Sequence, residues 1–332
     1  MRLLLLALLT LPLAAEHHQL DSTPKTVHWG FYSAAHPPVL RVQSGDTVTL
    51  RSAMIDTPEA LEQIGVPGRE IEASHRSIHS QVKNEGPGPH ILTGPIYVEG
   101  AEPGDTLEVR IQSVELALPY AINLFLPGMG VLPTDFPYKH RKLIRLDKQR
   151  KVAPFAPGVE IPLRPFFGSM GVAPPFESGR ISSAPPWIHG GNLDLKELTA
   201  GTTLYLPVHA KGALFSVGDA HAAQGNGEVS LTALETVLTG TFRLLVRKDK
   251  PLHWPFAETP THYITMGFDE NLDTAIQIAV REAVGFLAGH AKLSRADAYL
   301  LVSDACDLSL TQLVDGKRGV HVSIPKNLFT AR

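Results

Sequence analysis

The chain is poor in cysteine, close to neutral in charge and free of any apolar run long enough to cross a bilayer, and each shortage removes a class of protein. Cys306 is the only cysteine in 332 residues, so no internal disulfide can form even in an oxidising compartment. A formal net charge of −3 gives no electrostatic case for nucleic acid as a partner. The apolar run at residues 3–13 is too short for a transmembrane helix. No GxSxG turn occurs, and Ser182-Ser183 lacks the glycine-rich surround of serine–lysine amidases, so the familiar covalent serine routes lack their marks.

That short run follows Arg2 and precedes Ala14, Ala15 and Glu16, the order of a signal peptide over residues 1–15. The reading places the mature protein in the periplasm or outside the cell, with no membrane contact after cleavage. An uncleaved anchor is the competing reading. No cysteine near the cleavage point supports lipid attachment, and His17 and His18 fall in the new terminus.

With 43% hydrophobic and 19% charged residues, the chain can bury a full core and divides into two parts. Residues 16–250 read as mainly β. Three segments, VQSGDTVTLRS, EGAEPGDTLEVRI and LTAGTTLYLPV, each place a small turn before an alternating strand. Such units predict a β-sandwich, jelly-roll-like, rather than a doubly wound sheet. Residues 154–186, rich in proline and glycine, read as a long ordered loop. Residues 251–332 read as a smaller appended α/β part: a helix over 273–290, a second helix opened by Ser294 and Asp297, and a last strand in GVHVSIPKNLF.

The densest chemistry lies in GDAHAAQGNGEV, residues 218–229. Alternation over 214–222 predicts a strand with Phe215, Val217, Asp219 and His221 on one face. Residues 228–237 predict its partner, so that AQGNG forms the hairpin loop and Glu228 comes close to His221. Buried polar groups at a strand end must be paired or must bind something.

Several separated blocks, HILTGPIYVEGAEPGDTLEV, GGNLDLKELTAGTTLYLPV, ALFSVGDAHAAQGNGEVSLTALE and the closing IPKNLF, resemble the acetamidase/formamidase family in that family's order. The likeness extends from His36 to Phe329, and GVAPPF resembles the loop before GGN. It implies a β-sandwich with an added α/β portion, homo-oligomeric assembly, and hydrolysis of short aliphatic amides to carboxylate and ammonia, with a divalent metal in some members. Two positions depart from the family pattern: Asn226 stands where an acid is usual, and Leu231 where a glycine is expected.

Amide hydrolysis needs an activated nucleophile, a stabilised oxyanion and a proton for the leaving nitrogen. Cys306, at or near a helix end, reads as a small buried residue rather than a nucleophile. Attack by metal-bound or carboxylate-activated water fits the available groups better, since zinc accepts histidine nitrogen and carboxylate oxygen. The candidate ligands are His90, Asp219 and His221, with Asp56 as a fourth, and Glu228 is the candidate proton shuttle. Asn192, Asp194 and Gln224 are candidates to line the substrate pocket. Each has a plainer reading: His221 closing the hairpin on Glu228, Asp219 accepting within a turn, and GGNLD forming an Asx turn. Glu99 and Glu102 read as solvated turn acids. An alternative function is a non-catalytic small-solute-binding module whose acids hold a structural calcium.

Overall fold

The computed structural model describes residues 15–329. The expected leader lies outside them apart from Ala15. Among the described residues no helix is long and apolar enough to cross a membrane.

Two nine-stranded sheets carry the fold. In the first, the three turn-then-strand segments form Thr47–Arg51, Thr106–Leu116 and Thr203–Pro207. Alternation drives this: Val48 and Leu50 are buried between half-buried neighbours, and Leu238–Arg247 repeats the pattern. The sheet runs His17–Leu20, Thr47–Arg51, Leu238–Arg247, Thr106–Leu116, Thr203–Pro207, Phe256–Glu258, His262–Asp269, Lys317–Pro325, Asp307–Asp315. The second runs Gly190–Asn192, Phe166–Gly171, Phe215–His221, Glu235–Thr236, Tyr120–Phe125, His140–Arg145. Ile91–Val98 pairs with the first part of Phe215–His221.

The inner faces share one apolar core. Val48, Leu50, Val109, Leu204 and Leu244 of the first sheet cluster with Ile96, Phe167, Met170, Phe215 and Val217 of the second. Burying each such side chain contributes about 1.5–3 kcal/mol, and so continuous a layer between two sheets makes a sandwich. A second core lies under the helices Leu272–His290 and Arg295–Ala305, where Ala275, Ala279 and Ala283 meet Val320 and Val322. Asn271 and Ser294 cap these helices by accepting from the Thr274 and Asp297 backbone N–H groups. Their strands join the edge of the first sheet through Phe256–Glu258, so that sheet crosses residue 250 without a break.

Two local expectations need correction. Residues 154–186 are not one loop, because Val159–Pro162 and Phe166–Gly171 are strands and the second lies beside Phe215–His221. Of the glycines that suggested a loop, Gly168 and Gly171 are places where neighbours come close, while Gly158 and Gly179 take positive φ in turns. Nor does a strand begin at Glu228. Phe215–His221 pairs instead with Glu235–Thr236, matching Ala220 to Thr236 and His221 to Glu235. Residues 222–234 become a long connection, tied down where Gly227 donates to the Thr311 carbonyl and Leu313 donates to that of Gly227.

The sheet around this strand is pinned by a buried histidine. His28 makes hydrogen bonds from Nδ1 to the Phe31 carbonyl (2.9 Å) and between Nε2 and Ser216 Oγ (3.0 Å). Burial, and then the neighbouring His36, push its pKa down to about 3. An unfolded histidine titrates near 6.5, so between those values the unfolded chain binds the extra proton and stability falls with falling pH. Replacing His28→Gln is expected to flatten the loss between pH 6.5 and pH 4 by on the order of 1 kcal/mol per pH unit. Parallel denaturation curves for the two proteins check this, and equal slopes would contradict it.

Candidate active site

Asp219 departs from strand geometry at the point where the chemistry begins. Its φ is 52°, in the left-handed region that non-glycine residues seldom adopt. The kink interrupts the alternation. Phe215 and Val217 remain in the main core and Ala220 joins them there, while Asp219 and His221 turn into a separate polar cluster. The two residues therefore share a side, but it is not the side of Phe215 and Val217.

His221 sits at the centre of that cluster. Its Nε2 lies 3.1 Å from Asp219 Oδ2 and 3.3 Å from Glu235 Oε1. Its Nδ1 lies 3.0 Å from Gln224 Oε1, and Gln224 Nε2 donates to the Asp194 carbonyl at 2.9 Å. Gln224 therefore presents its oxygen to the ring, so Nδ1 carries a proton and Nε2 faces the acids. Phe166 stands edge-on to the ring at 5.1 Å and fixes its plane. His90 approaches from the opposite side, with Nε2 3.7 Å from Asp219 Oδ1. Its Nδ1 donates to the Ser183 carbonyl at 2.8 Å, which leaves Nε2 to face the cluster. Ser183 is thus a support for His90.

Three further carboxylates close in. Asn192 Nδ2 donates to Asp194 Oδ2 at 2.7 Å, and Asp194 also has left-handed backbone, as does Glu228. Asp194, His221 and Glu228 offer ligand atoms within 4.8 Å of one another, as do Asp219, His221 and Glu235. Asp315, at the end of Asp307–Asp315, completes the group through Asp194. Asp194 Oδ1, His221 Nε2, Asn192 Oδ1 and Asp315 Oδ2 are buried without a hydrogen-bond partner. Gly168 leaves the middle open, since a Cβ there would strike Asp219 Oδ2 and Asp194 Oδ1.

The electrostatics follow from this crowding. Burial raises the pKa of Asp194, and the charges of Glu228, Asp315 and Asp219 raise it further. Glu228 is raised by burial and then by Asp315. Glu235 is raised by burial against the pull of His221, and Asp315 is raised by burial to about 6. Burial acts on Asp219 the same way, but His221 and His90 outweigh it and hold this carboxyl below its usual range. For His221, burial is outweighed by Asp219 and Glu235, and the ring is held protonated well above its ordinary pKa. Carboxylate oxygens with two imidazoles, unpartnered buried donor atoms and a space kept clear by glycine together suit a divalent cation.

Asp56 stands outside this group. Its Oδ1 is 2.7 Å from Arg141 Nη2, and its backbone carbonyl accepts from His75 Nε2 at 2.8 Å. An arginine already balances its charge, which removes it from the ligand candidates. Cys306 ends the helix Arg295–Ala305, and burial pushes its thiol up to about 11, so no thiolate is available at neutral pH. Glu235 and Asp315 are the members that sequence reading missed. An acid inside the apolar run TALETV was the one available signal for Glu235; nothing near Asp315 distinguishes it from a turn aspartate. Leu231 adopts φ 117°, a conformation that glycine takes without strain, which accounts for the glycine expected there.

These observations define the class first: a β-sandwich protein with a buried carboxylate–histidine centre. The profile of the acetamidase/formamidase family matches residues 73–178 and 176–331, and the chain belongs to that family. The crystal structure of an acetamidase from Bacillus halodurans is 32% identical, with a TM-score of 0.80 over 94% of this chain and 98% of that one. A formamidase from Methylophilus methylotrophus is 29% identical over 54% of this chain and 59% of its own length. An acetamidase from Mycolicibacterium smegmatis is 26% identical over 42% of this chain and 49% of its own. The chain spans about half the length of the curated relatives it matches.

In protein stripped of metal by a chelator, Glu228→Gln removes one member of the acidic group without changing its shape. The variant is expected to be more stable than the parent by about 1–3 kcal/mol near neutral pH, because a raised carboxyl pKa costs folding energy there. Added divalent cation is expected to raise the midpoint of the parent more than that of the variant. Calorimetry on both proteins with and without cation checks this, and a less stable stripped variant would contradict it.

Proposed function

We propose that the protein hydrolyses the linear carbon–nitrogen bond of small amides, releasing a carboxylate and ammonia. The observation that carries the reading is the buried acid–histidine cluster opening at Glu228 onto a cavity of about 520 Å³, in a chain of this family. Asp219, His221, Glu235 and His90 would hold the divalent cation, with Asp194 beside them. Two imidazoles among the donors favour zinc over calcium, which prefers oxygen alone. Bound there, the cation supplies Lewis acidity toward the amide carbonyl and the attacking water.

The protein's own groups do the rest. Glu228 lines the cavity and has a raised pKa, so it suits taking a proton from water and passing it to the leaving nitrogen. Gln224 spends its amide group on His221 and the Asp194 carbonyl, and Asn192 its Nδ2 on Asp194 Oδ2, so both are assigned orienting roles. Burial keeps bulk water away, which strengthens each of these interactions.

The purified protein is expected to release ammonia from formamide, acetamide and propionamide, to lose that activity to a chelator and to regain it with zinc. Replacing both Asp219 and His221 by alanine should lower kcat/KM by at least a hundredfold. Undiminished activity in the double variant would sink the assignment of the site, and no ammonia from any amide would favour a binding module.

Export and self-association belong to the same proposal. The charge, apolar run and small residues of the leader support export. Met129, Val131, Leu132, Phe136 and Tyr138 are exposed on one connection, and so apolar a surface supports contact with a second copy. Protein recovered from the periplasm or medium is expected to begin at Glu16 and to scatter light as an oligomer. A cytoplasmic, full-length monomer would contradict both.

A further inference from the structure

The cavity beside the cluster is far larger than formamide or acetamide requires. Its volume of about 520 Å³ falls among cavities of roughly 300–1,000 Å³ that enclose ligands many times their size. Its lining includes Gln224 and Glu228, the apolar Phe155, Ile161 and Leu234, and the cations Arg164 and Lys196. Phe155 and Ile161 come from the paired strands Val152–Ala156 and Val159–Pro162, so the wall on that side is an apolar hairpin.

Arg164, exposed, and Lys196, half-buried, both line the cavity. Arg150 on the same hairpin is paired with Glu160, and Arg141 with Asp56, whereas neither Arg164 nor Lys196 forms an ion pair among the described residues. Both are also tied closely to the reacting centre. Lys196, half-buried, follows Asp194 by two residues, and Arg164 precedes by two the Phe166 ring that packs on His221. A pocket lined by an acid–base group, apolar side chains and unpaired cations fits a molecule that carries an amide, an apolar spacer and an anionic group.

Resting on the amidase reading above, we propose that the preferred substrate is an amide with an anionic tail, of the class of half-amides of short dicarboxylic acids. The carboxamide meets Glu228, the methylene spacer lies along Phe155 and Ile161, and the far carboxylate is taken by the Arg164 guanidinium and the Lys196 ammonium. A guanidinium can hold both oxygens of a carboxylate at once, which fixes the far end as well as attracting it. The reaction is ordinary hydrolysis. Water forms the new C–O bond, the C–N bond breaks, Glu228 relays the water's proton to nitrogen, and a dicarboxylate and ammonium result.

The test compares kcat/KM of the full chain at low salt for glutaramate and for 5-oxohexanamide, in which a methyl group replaces the tail oxygen. The expected preference for glutaramate is tenfold or more. Arg164→Gln and Lys196→Gln should each lower that ratio, and the double variant should bring it close to one. Because both rates are read on one protein, a partly unfolded variant lowers them together and leaves the ratio intact. A parent ratio of one or less overturns the proposal without any variant, as does a ratio that both single variants and the double variant leave unchanged. Turnover of acetamide with no preference for the charged amide overturns the tail alone. Absence of ammonia from every amide, acetamide included, overturns the amidase reading and the tail with it.

Discussion

Like charges taken out of water together repel one another and lose their hydration, and Asp194, Asp219, Glu228, Glu235 and Asp315 are held in that state around one imidazole. Only protons or a cation can relieve it. Without a cation, His221 stays protonated and several carboxyls keep their protons; with one, the same atoms could serve as ligands. The centre is therefore costly for the sandwich to maintain in isolation. Cost of this kind is a common sign that a site is kept for what it binds.

The backbone carries a share of that cost. Three of the five acidic residues, Asp194, Asp219 and Glu228, have left-handed backbone, and each turns a carboxylate out of a strand or loop toward the centre. Gly168 does the opposite service by withholding a side chain from the space they converge on. Apolar layers elsewhere supply the stability that such a region consumes. The core between the sheets lies next to the cluster along the same strands, with Phe167 and Ala220 on the apolar side and Asp219 and His221 on the polar side.

Much of the scaffold is legible in the sequence because it rests on local periodicity. The three turn-then-strand segments, the helix over 273–290, the Ser294 helix start and the final strand all follow from alternation, helical spacing and capping. The site is only partly legible. Asp219, His221, Gln224 and Glu228 stand out because they crowd one glycine-rich stretch, yet Glu228 reaches His221 from a loop and not across a hairpin. Glu235 and Asp315 are brought in by pairings between distant segments that no local pattern encodes. Asp56 reads as a further ligand candidate in one dimension, and Arg141, far along the chain, balances its charge instead.

The contact between Gly227 and the strand Asp307–Asp315 has a consequence for the order in which the protein is made. The connection that carries Glu228 is secured by Thr311 and Leu313, which follow it far along the chain, and Asp315 comes after both. A ribosome that has synthesised every other member of the centre has still not supplied what holds it shut. Long-range pairings of this kind form late, because the intervening chain must first be brought together. The nascent protein thus carries its earlier acidic residues separate and hydrated until the hairpin of Asp307–Asp315 and Lys317–Pro325 docks.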